Sequence, residues 1–226
     1  MENEQACKKN IIKFFDEVYS NYERYWWRED TRYSIRPEDY QGAPRKLIEI
    51  LAVRPHGIAL DLGAGEGADS IRLARMGYHV DAIEASVVGI EKIRRFAYEA
   101  GVHINLVHAD VREYEPMQQY DVIICNGVLH YIQNKALVLQ RMQEATKIGG
   151  INMISLFTNF TPIPEVHQVT EVYCDAENGI AYESYRYWKH HYILFERDKW
   201  DTKHPDFPPH RHSMLKIVAE KFETES

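Results

Sequence analysis

Residues 58–67 read Ile58-Ala59-Leu60-Asp61-Leu62-Gly63-Ala64-Gly65-Glu66-Gly67, and residues 79–84 read His79-Val80-Asp81-Ala82-Ile83-Glu84. A short apolar run enters three glycines at alternate positions, a helix-length stretch follows, and a second apolar run ends on a carboxylate. That is the pattern of a strand–loop–helix–strand unit built around a nucleoside-containing ligand. Glycines let the backbone approach the ligand, the helix N-terminus offers free N–H groups, and the second acid accepts from a ribose.

Gly63, Gly65 and Ala68 satisfy the permissive dinucleotide spacing, with Glu84 at about the usual remove of 20 residues. Asp61 argues against that ligand. It lies two residues before the first glycine, where a cradled pyrophosphate would meet a carboxylate in a low-dielectric cleft. A ligand carrying an amino group and a sulfonium is attracted instead, so Asp61 favours S-adenosylmethionine over NAD. The competing readings are an NAD(P)-dependent oxidoreductase, a non-catalytic domain that binds S-adenosylmethionine, and a strand–helix turn with no ligand.

The units on either side extend the alternation. Apolar positions Ile11, Phe14, Phe15, Val18, Tyr22 and Tyr25 predict a helix over 8–27, and Pro44 opens another that uses Leu47, Ile48, Ile50 and Leu51. Strand one ends at Asp61, a helix covers 67–76, and strand two ends at Glu84. A helix then runs from an N-cap at Ser86 to Gly101. Strands follow at Ile104–His108 and Tyr120–Asn126, then a helix over Asn134–Lys147, a stop at Gly149-Gly150, and a strand over Ile151–Phe157. Glu177–Trp188 reads as a short helix. His191–Glu196 and Ser213–Ala219 read as strands joined by the loop 198–212, making an antiparallel edge. The expected fold is α/β: a Rossmann-like, seven-stranded, mostly parallel sheet with helices on both faces, an antiparallel last strand and an N-terminal helical cap. One domain spans 1–226: a cap over 1–55, a cofactor-binding core over 56–157 and a substrate-side region over 158–226.

The 226-residue chain is 45% hydrophobic and 27% charged, which suits one globular domain. A net charge of −7 provides no basic field for nucleic acid. No run approaches the roughly 18 apolar residues of a membrane span, and the first residues carry no signal-peptide core. Cys7, Cys125 and Cys174 are odd in number and widely spaced, which argues against a disulfide framework and for the cytoplasm. Cys125 sits in an apolar strand as a small hydrophobe. Ten of the fifteen tyrosines and all four tryptophans fall in Tyr19–Tyr40 and Tyr173–Trp200, either as packing or as an aromatic lid over a pocket. The Lys92–Arg95 cluster reads as a solvated helix face.

Taken together, these residues resemble the class I S-adenosylmethionine-dependent methyltransferases. The resemblance covers about residues 15–221. It rests on the Asp61–Gly67 loop, Glu84, Ala109-Asp110, and Tyr120-Asp121-Val122-Ile123 leading into Asn126-Gly127-Val128-Leu129-His130. Ile148-Gly149-Gly150 stands where the family has Pro-Gly-Gly. The likeness is closest to the tellurite-resistance TehB-like group, through Tyr185-Arg186-Tyr187-Trp188, Glu196-Arg197-Asp198 and Pro209-His210-Arg211-His212. The Trp-rich Tyr25-Trp26-Trp27 suggests an acceptor larger than a metalloid.

The resemblance implies that Asp61, Gly63, Ala64 and Gly65 hold the methionine moiety, and that Glu84 binds the ribose hydroxyls. It implies that Ala85 packs near the adenine while Asp110 and the Val111 N–H bond it, and that Asn126 reaches the amino-acid portion through its carbonyl. Tyr22 matches a tyrosine that faces the cofactor. Asp61, Glu84, Asp110 and Asn126 also end four strands on the side where open α/β sheets bind ligands. Methyl transfer from a sulfonium is an in-line displacement that needs alignment, desolvation and sometimes a base. Acceptor-side candidates are His130, His210, Arg211, His212 and Tyr22. His210 and His212 share a face if extended. No carboxylate or cysteine joins them or His204 at ligand spacing, so no metal is expected. The expected partner is a small-molecule acceptor, and the sequence leaves oligomeric state open.

Overall fold

The computed structural model describes residues 2–26, 34–163, 170–201 and 208–223, with side chains from Ile11 onward. Trp27, His204 and most of the expected loop after Asp201 lie outside the described residues, as does the Cys7 side chain. In chain order the elements are α1 (Glu2–Asn21), α2 (Gly42–Leu51), β1 (Ile58–Leu62), α3 (Ala68–Arg75), β2 (His79–Glu84), α4 (Val87–Ala100) and β3 (Asn105–His108). Then come β4 (Tyr120–Asn126), α5 (Lys135–Ala145), β5 (Thr146–Phe157), α6 (Ile180–Tyr185), β6 (Lys189–Asp201) and β7 (His210–Glu220). The sheet order is β3-β2-β1-β4-β5-β7-β6. The first five strands run parallel, while β7 pairs antiparallel with both β5 and β6.

Period-two alternation divides the core between the two faces of the sheet. Val122 and Ile124 of β4 join Ala59, Met153 and Val218 beneath Leu47, Ile48, Ile71 and Phe96 of the helices on one side. Ile123 and Cys125, one residue out of step, pack with Leu60, Ile154 and Ile217 against Leu139, Met142 and Tyr185 on the other. Cys125 is fully buried, in keeping with its reading as a small hydrophobe. Ser86 caps α4, its Oγ accepting from the Gly89 N–H at 3.0 Å, and Gly101 closes the helix at φ +68°. Among the described residues no helix is long and apolar enough to cross a membrane.

Four expectations need correction. The helix read over 8–27 stops at Asn21, so Tyr22–Trp26 form an irregular segment. Gly149-Gly150 does not precede β5 but lies inside it as a bulge: Thr146 already pairs with Tyr120, Gly149 takes φ +77°, and the register shifts before Val122 meets Ile151. The segment 198–212 is not wholly loop, because β6 continues to Asp201 and β7 begins at His210. Lys92 is not on a solvated face, being 7% exposed, whereas Arg95 of the same cluster is half exposed and paired with Glu23.

Candidate active site

The carboxyl ends of β1, β2 and β4 open into one cavity of about 450 Å³, the position that a parallel sheet reserves for ligands. Its floor is the glycine loop. Gly63, Gly65 and Gly67 take φ values of +70°, +58° and +84°, a region closed to most side chains. The loop is tied to the second strand, since Gly63 and Ala64 donate to the Ile83 carbonyl at 2.9 and 3.0 Å. A Cβ on Gly63 would also come within 2.5 Å of Val128 Cγ2, on a branched side chain that turns little. Gly63→Ala is therefore expected to cost about 1–3 kcal/mol of stability and to weaken ligand binding. An unchanged urea midpoint would contradict this reading of the loop.

Two buried carboxylates face each other across the floor. Both oxygens of Glu84 accept backbone N–H groups, from Gly65 at 2.7 Å and Ser86 at 2.8 Å. Burial, partly offset by those hydrogen bonds, lifts its pKa to about 7. Asp61 is 2% exposed and accepts from Ser70 Oγ at 2.5 Å. Burial raises its pKa too, and Asp69 adds like-charge repulsion. Such a site favours whatever brings positive charge to it. Beside it, Arg72 pairs with Asp69 and stacks over Tyr40, 4.2 Å from the ring centre. Its buried Nε has no hydrogen-bond partner, although Arg72 lines the cavity. A ligand joining an ammonium to a carboxylate would bring charge complementary to Asp61 and to the Arg72 guanidinium, as an amino acid does.

All nine residues expected to hold the cofactor line this cavity: Asp61, Gly63, Ala64, Gly65, Glu84, Ala85, Asp110, Val111 and Asn126. The Asp110 carboxylate is gripped by Arg112, which donates through Nε at 2.9 Å and Nη2 at 2.8 Å. The Asn126 side chain donates to Asp69 at 3.1 Å, and its Oδ1 accepts from Ser155.

The roof comes from the N-terminus. Phe15, Tyr19 and Trp26 line the cavity, and Trp26 Nε1 donates to the Tyr19 hydroxyl at 3.3 Å. Tyr22 is not among the lining residues. It lies beyond the helix end and packs in a small cluster with Tyr25 and Val88, so Tyr19, three residues earlier, takes the inward place. The irregular segment is anchored by Glu66, the residue between two of the loop glycines. Glu66 is 1% exposed and accepts the N–H groups of Tyr25 and Trp26, each at 2.9 Å. It also pairs with Lys92 Nζ at 2.7 Å, and Lys92 donates in addition to the Tyr22 carbonyl. Sequence reasoning gave Glu66 and Lys92 no role. The signal available was an acid inside a glycine loop, where a small residue would otherwise serve.

The far wall holds histidines. His130, 3% exposed, stacks on Phe157 with ring centres 4.1 Å apart, and His212 contacts the same ring at 5.0 Å. Both histidines line the cavity. His210 is buried on the same face of β7 as His212, its ring centre 5.8 Å away, but it contacts the Pro208 carbonyl at 3.0 Å and is outside the lining. Arg211 points to the opposite face, where it pairs with Asp198 and is about half exposed. Among the described residues no group of three metal-ligating side chains occurs.

A family model described as a methyltransferase domain matches residues 54–202. A curated relative, the ubiquinone biosynthesis O-methyltransferase of Rickettsia canadensis, is 29% identical over 154 residues, covering 66% of this chain and 64% of the relative. The chain thus spans a little under two thirds of that relative's length. Among solved structures, TehB from Haemophilus influenzae superposes with a TM-score of 0.67 at 20% identity, over 78% of this chain and 61% of that one. The 1,6-didemethyltoxoflavin-N1-methyltransferase of Burkholderia thailandensis, solved with its substrate and S-adenosylhomocysteine, gives 0.62 at 18% identity over 99% of this chain and 91% of that one. At these identities the two structures bear on the fold.

Proposed function

This chain belongs to the methyltransferase domain family, and from that premise we propose that it transfers the methyl group of S-adenosylmethionine to a hydroxyl oxygen of a small, planar acceptor in the cytoplasm. The observation that carries the choice of donor is the buried Asp61 carboxylate, in a cavity that Glu84 and Arg72 also line. A zwitterionic amino acid on a cationic sulfur centre fits that arrangement, and a pyrophosphate does not. In this reading Asp61 and Asn126 take the ammonium and Arg72 the carboxylate. The remaining lone pairs of Glu84 accept from the ribose hydroxyls. Asp110 and the Val111 N–H address the adenine. When bound, the cofactor supplies an activated methyl carbon, so the protein's work is alignment and exclusion of water. The flat walls formed by Phe15, Tyr19, Tyr131 and Phe157 suit an aromatic acceptor. The O-methyltransferase relative supports oxygen as the target, and the net charge of −7 favours a small molecule over nucleic acid.

Calorimetric titration tests the donor. S-adenosylmethionine and S-adenosylhomocysteine are expected to bind and NAD is not; the reverse result would restore the oxidoreductase reading. The pH dependence has a definite sign. With pKa values raised in the free protein, Asp61 and Glu84 hold part of a proton at neutrality and must release it as the ligand's positive charge arrives. Affinity should rise with pH up to about 7 and fall again above about pH 8, where the ligand's own α-amino group loses its proton. Binding heats measured in buffers of different ionisation enthalpy should show proton release at pH 6.5 and proton uptake at pH 8.5, where the amine is recharged beside Asp61. Proton uptake at pH 6.5 would contradict the assignment.

A further inference from the structure

Four hydroxyl side chains line the cavity: Tyr19, Ser86, Tyr131 and Ser155. Three of them are engaged. Ser86 donates to Asp16 and caps α4, Ser155 donates to Asn126, and Tyr19 accepts from Trp26. The Tyr19 oxygen also lies over the glycine loop, 2.9 Å from the place a Cβ on Gly65 would take. The charged groups of the far wall are engaged as well. β6 carries one extra residue relative to β7: Glu196 pairs with Met214, but the next registered pair is Lys199 with His212. Asp198, at φ +57°, lies within that bulge. Bulges re-aim side chains, and this one turns Lys199 and Asp201 onto the histidine face. Asp201 contacts His212 with Nε2 and Oδ2 3.2 Å apart, and Lys199 lies 3.6 Å from Glu196. Among the described residues the Tyr131 hydroxyl has no hydrogen-bond partner, and its oxygen stays accessible where the residue borders the cavity.

Local structure fixes that hydroxyl. Tyr131 closes a single tight helical turn over Leu129–Tyr131, its N–H donating to the Val128 carbonyl at 2.9 Å. Leu129 is fully buried in the core, and the His130 carbonyl accepts from the Tyr173 N–H at 2.7 Å, so the turn is pinned from two directions. The phenol ring meets Phe15 of the roof edge to face, with ring centres 5.6 Å apart, and packs on the His130 imidazole at 4.3 Å. Burial raises the Tyr131 pKa well above the usual tyrosine range, and Tyr25 pushes it the same way. The group keeps its proton at neutral pH and offers a hydrogen-bond donor that carries no charge.

We propose that Tyr131 determines acceptor specificity, its hydroxyl donating a hydrogen bond to an oxygen that stands beside the hydroxyl to be methylated. This rests on the reading of the cavity as the site of a hydroxyl methyltransferase and names the group that the acceptor must carry. A donor aimed at the reacting oxygen would draw on the electron pair needed for the new bond to carbon. On a neighbouring oxygen the same hydrogen bond is productive, because it fixes how the acceptor is turned within its plane while the aromatic walls hold the plane itself. An acceptor with carbon at that place displaces water from the Tyr131 hydroxyl and leaves it unpaired. A site built around a placed hydroxyl therefore selects oxygen over a methylene group of similar size. The class selected is a planar phenol with an ether, carbonyl or second hydroxyl oxygen on the adjacent ring carbon.

Guaiacol and ortho-ethylphenol are near-isosteres that differ at that place by one ether oxygen, which can only accept. Each is titrated calorimetrically into the full chain saturated with S-adenosylhomocysteine, so the comparison needs no turnover. Wild type should bind guaiacol about three- to tenfold more tightly than ortho-ethylphenol. In Tyr131→Phe the two affinities should agree within about twofold, with that for ortho-ethylphenol unchanged. S-adenosylhomocysteine affinity and thermal unfolding should match wild type, since removing this hydroxyl strands no protein group. Equal binding of the two phenols by wild type, binding of neither, or a preference that survives in Tyr131→Phe overturns the assignment. A clear loss of stability in Tyr131→Phe also overturns it, because the hydroxyl would then belong to the fold. Replacing S-adenosylhomocysteine with S-adenosylmethionine tests the wider reading separately. Guaiacol bound with the expected dependence on Tyr131 but never methylated overturns hydroxyl transfer and supports the contact.

Discussion

Glu66→Ala should lower stability by about 3–5 kcal/mol, because it leaves the buried Lys92 ammonium without its partner. The two side chains are only 8% and 0% exposed, so water cannot replace the lost carboxylate without opening the structure. The Tyr25 and Trp26 N–H groups lose their acceptor at the same time. For a chain of this size the loss corresponds to a Tm decrease of about 6–20 °C. Replacing Glu66 and Lys92 together by methionine should recover the part caused by the stranded charge. It should not recover the capture of the irregular segment, whose N–H groups would still cost about 1–3 kcal/mol if left buried and unpaired. Thermal unfolding of the single and double variants measures both parts. A single variant within about two degrees of wild type would show that the anchor carries no such energy. Donor affinity should fall in both variants, since Trp26 of that segment lines the cavity.

Asp61→Asn should have opposite effects on binding and on the free protein. Asparagine preserves size and can still accept from Ser70, but it presents a neutral amide to the donor. Removing one partner of a desolvated charged contact costs about 2–5 kcal/mol, or roughly 30- to 3,000-fold in affinity. The free protein should gain. A carboxylate whose folded pKa is raised contributes stability below its unfolded pKa and loses that contribution as pH rises through about 7. At pH 8 Asp61 is therefore a burden, and its removal should raise Tm; near pH 4 the variant and wild type should converge. Weaker binding together with reduced stability at pH 8 would mean that Asp61 is a structural residue rather than a charge held for a ligand.

The donor side of the cavity was legible because its signals are local. Each of Asp61, Glu84 and Asn126 ends a run of apolar residues, and the glycines between them announce backbone that no other residue adopts readily. Strand parity served equally well for His210 and His212, which do share a buried face of β7. It failed across the hairpin. Counting alternate residues from Glu196 would put Asp198 and Trp200 opposite the histidines. The bulge supplies Lys199 and Asp201 instead, and nothing in the local composition announces that shift. The helix end at Asn21 was hidden for a related reason. Apolar spacing continues through Tyr22 and Tyr25, but those residues bury their rings in a segment that Glu66 captures from 40 positions away. A lysine in a charged run reads as solvated until its partner is known. Lys92 has one only because the loop and α4 come together in space.

The order β5-β7-β6 separates the two halves of the cavity by origin. The polar groups on the floor end parallel strands near the middle of the sheet, whereas Lys199, Asp201, His212 and Met214 of the lining belong to an antiparallel pair at its margin. Selection can act on these halves at different rates. A lineage could exchange residues along β6 and β7, or gain and lose a bulge there, and so change which molecule it modifies while keeping its source of methyl groups. The same separation recommends the hairpin as the place for directed evolution of acceptor preference, with the glycine loop and its carboxylates left untouched.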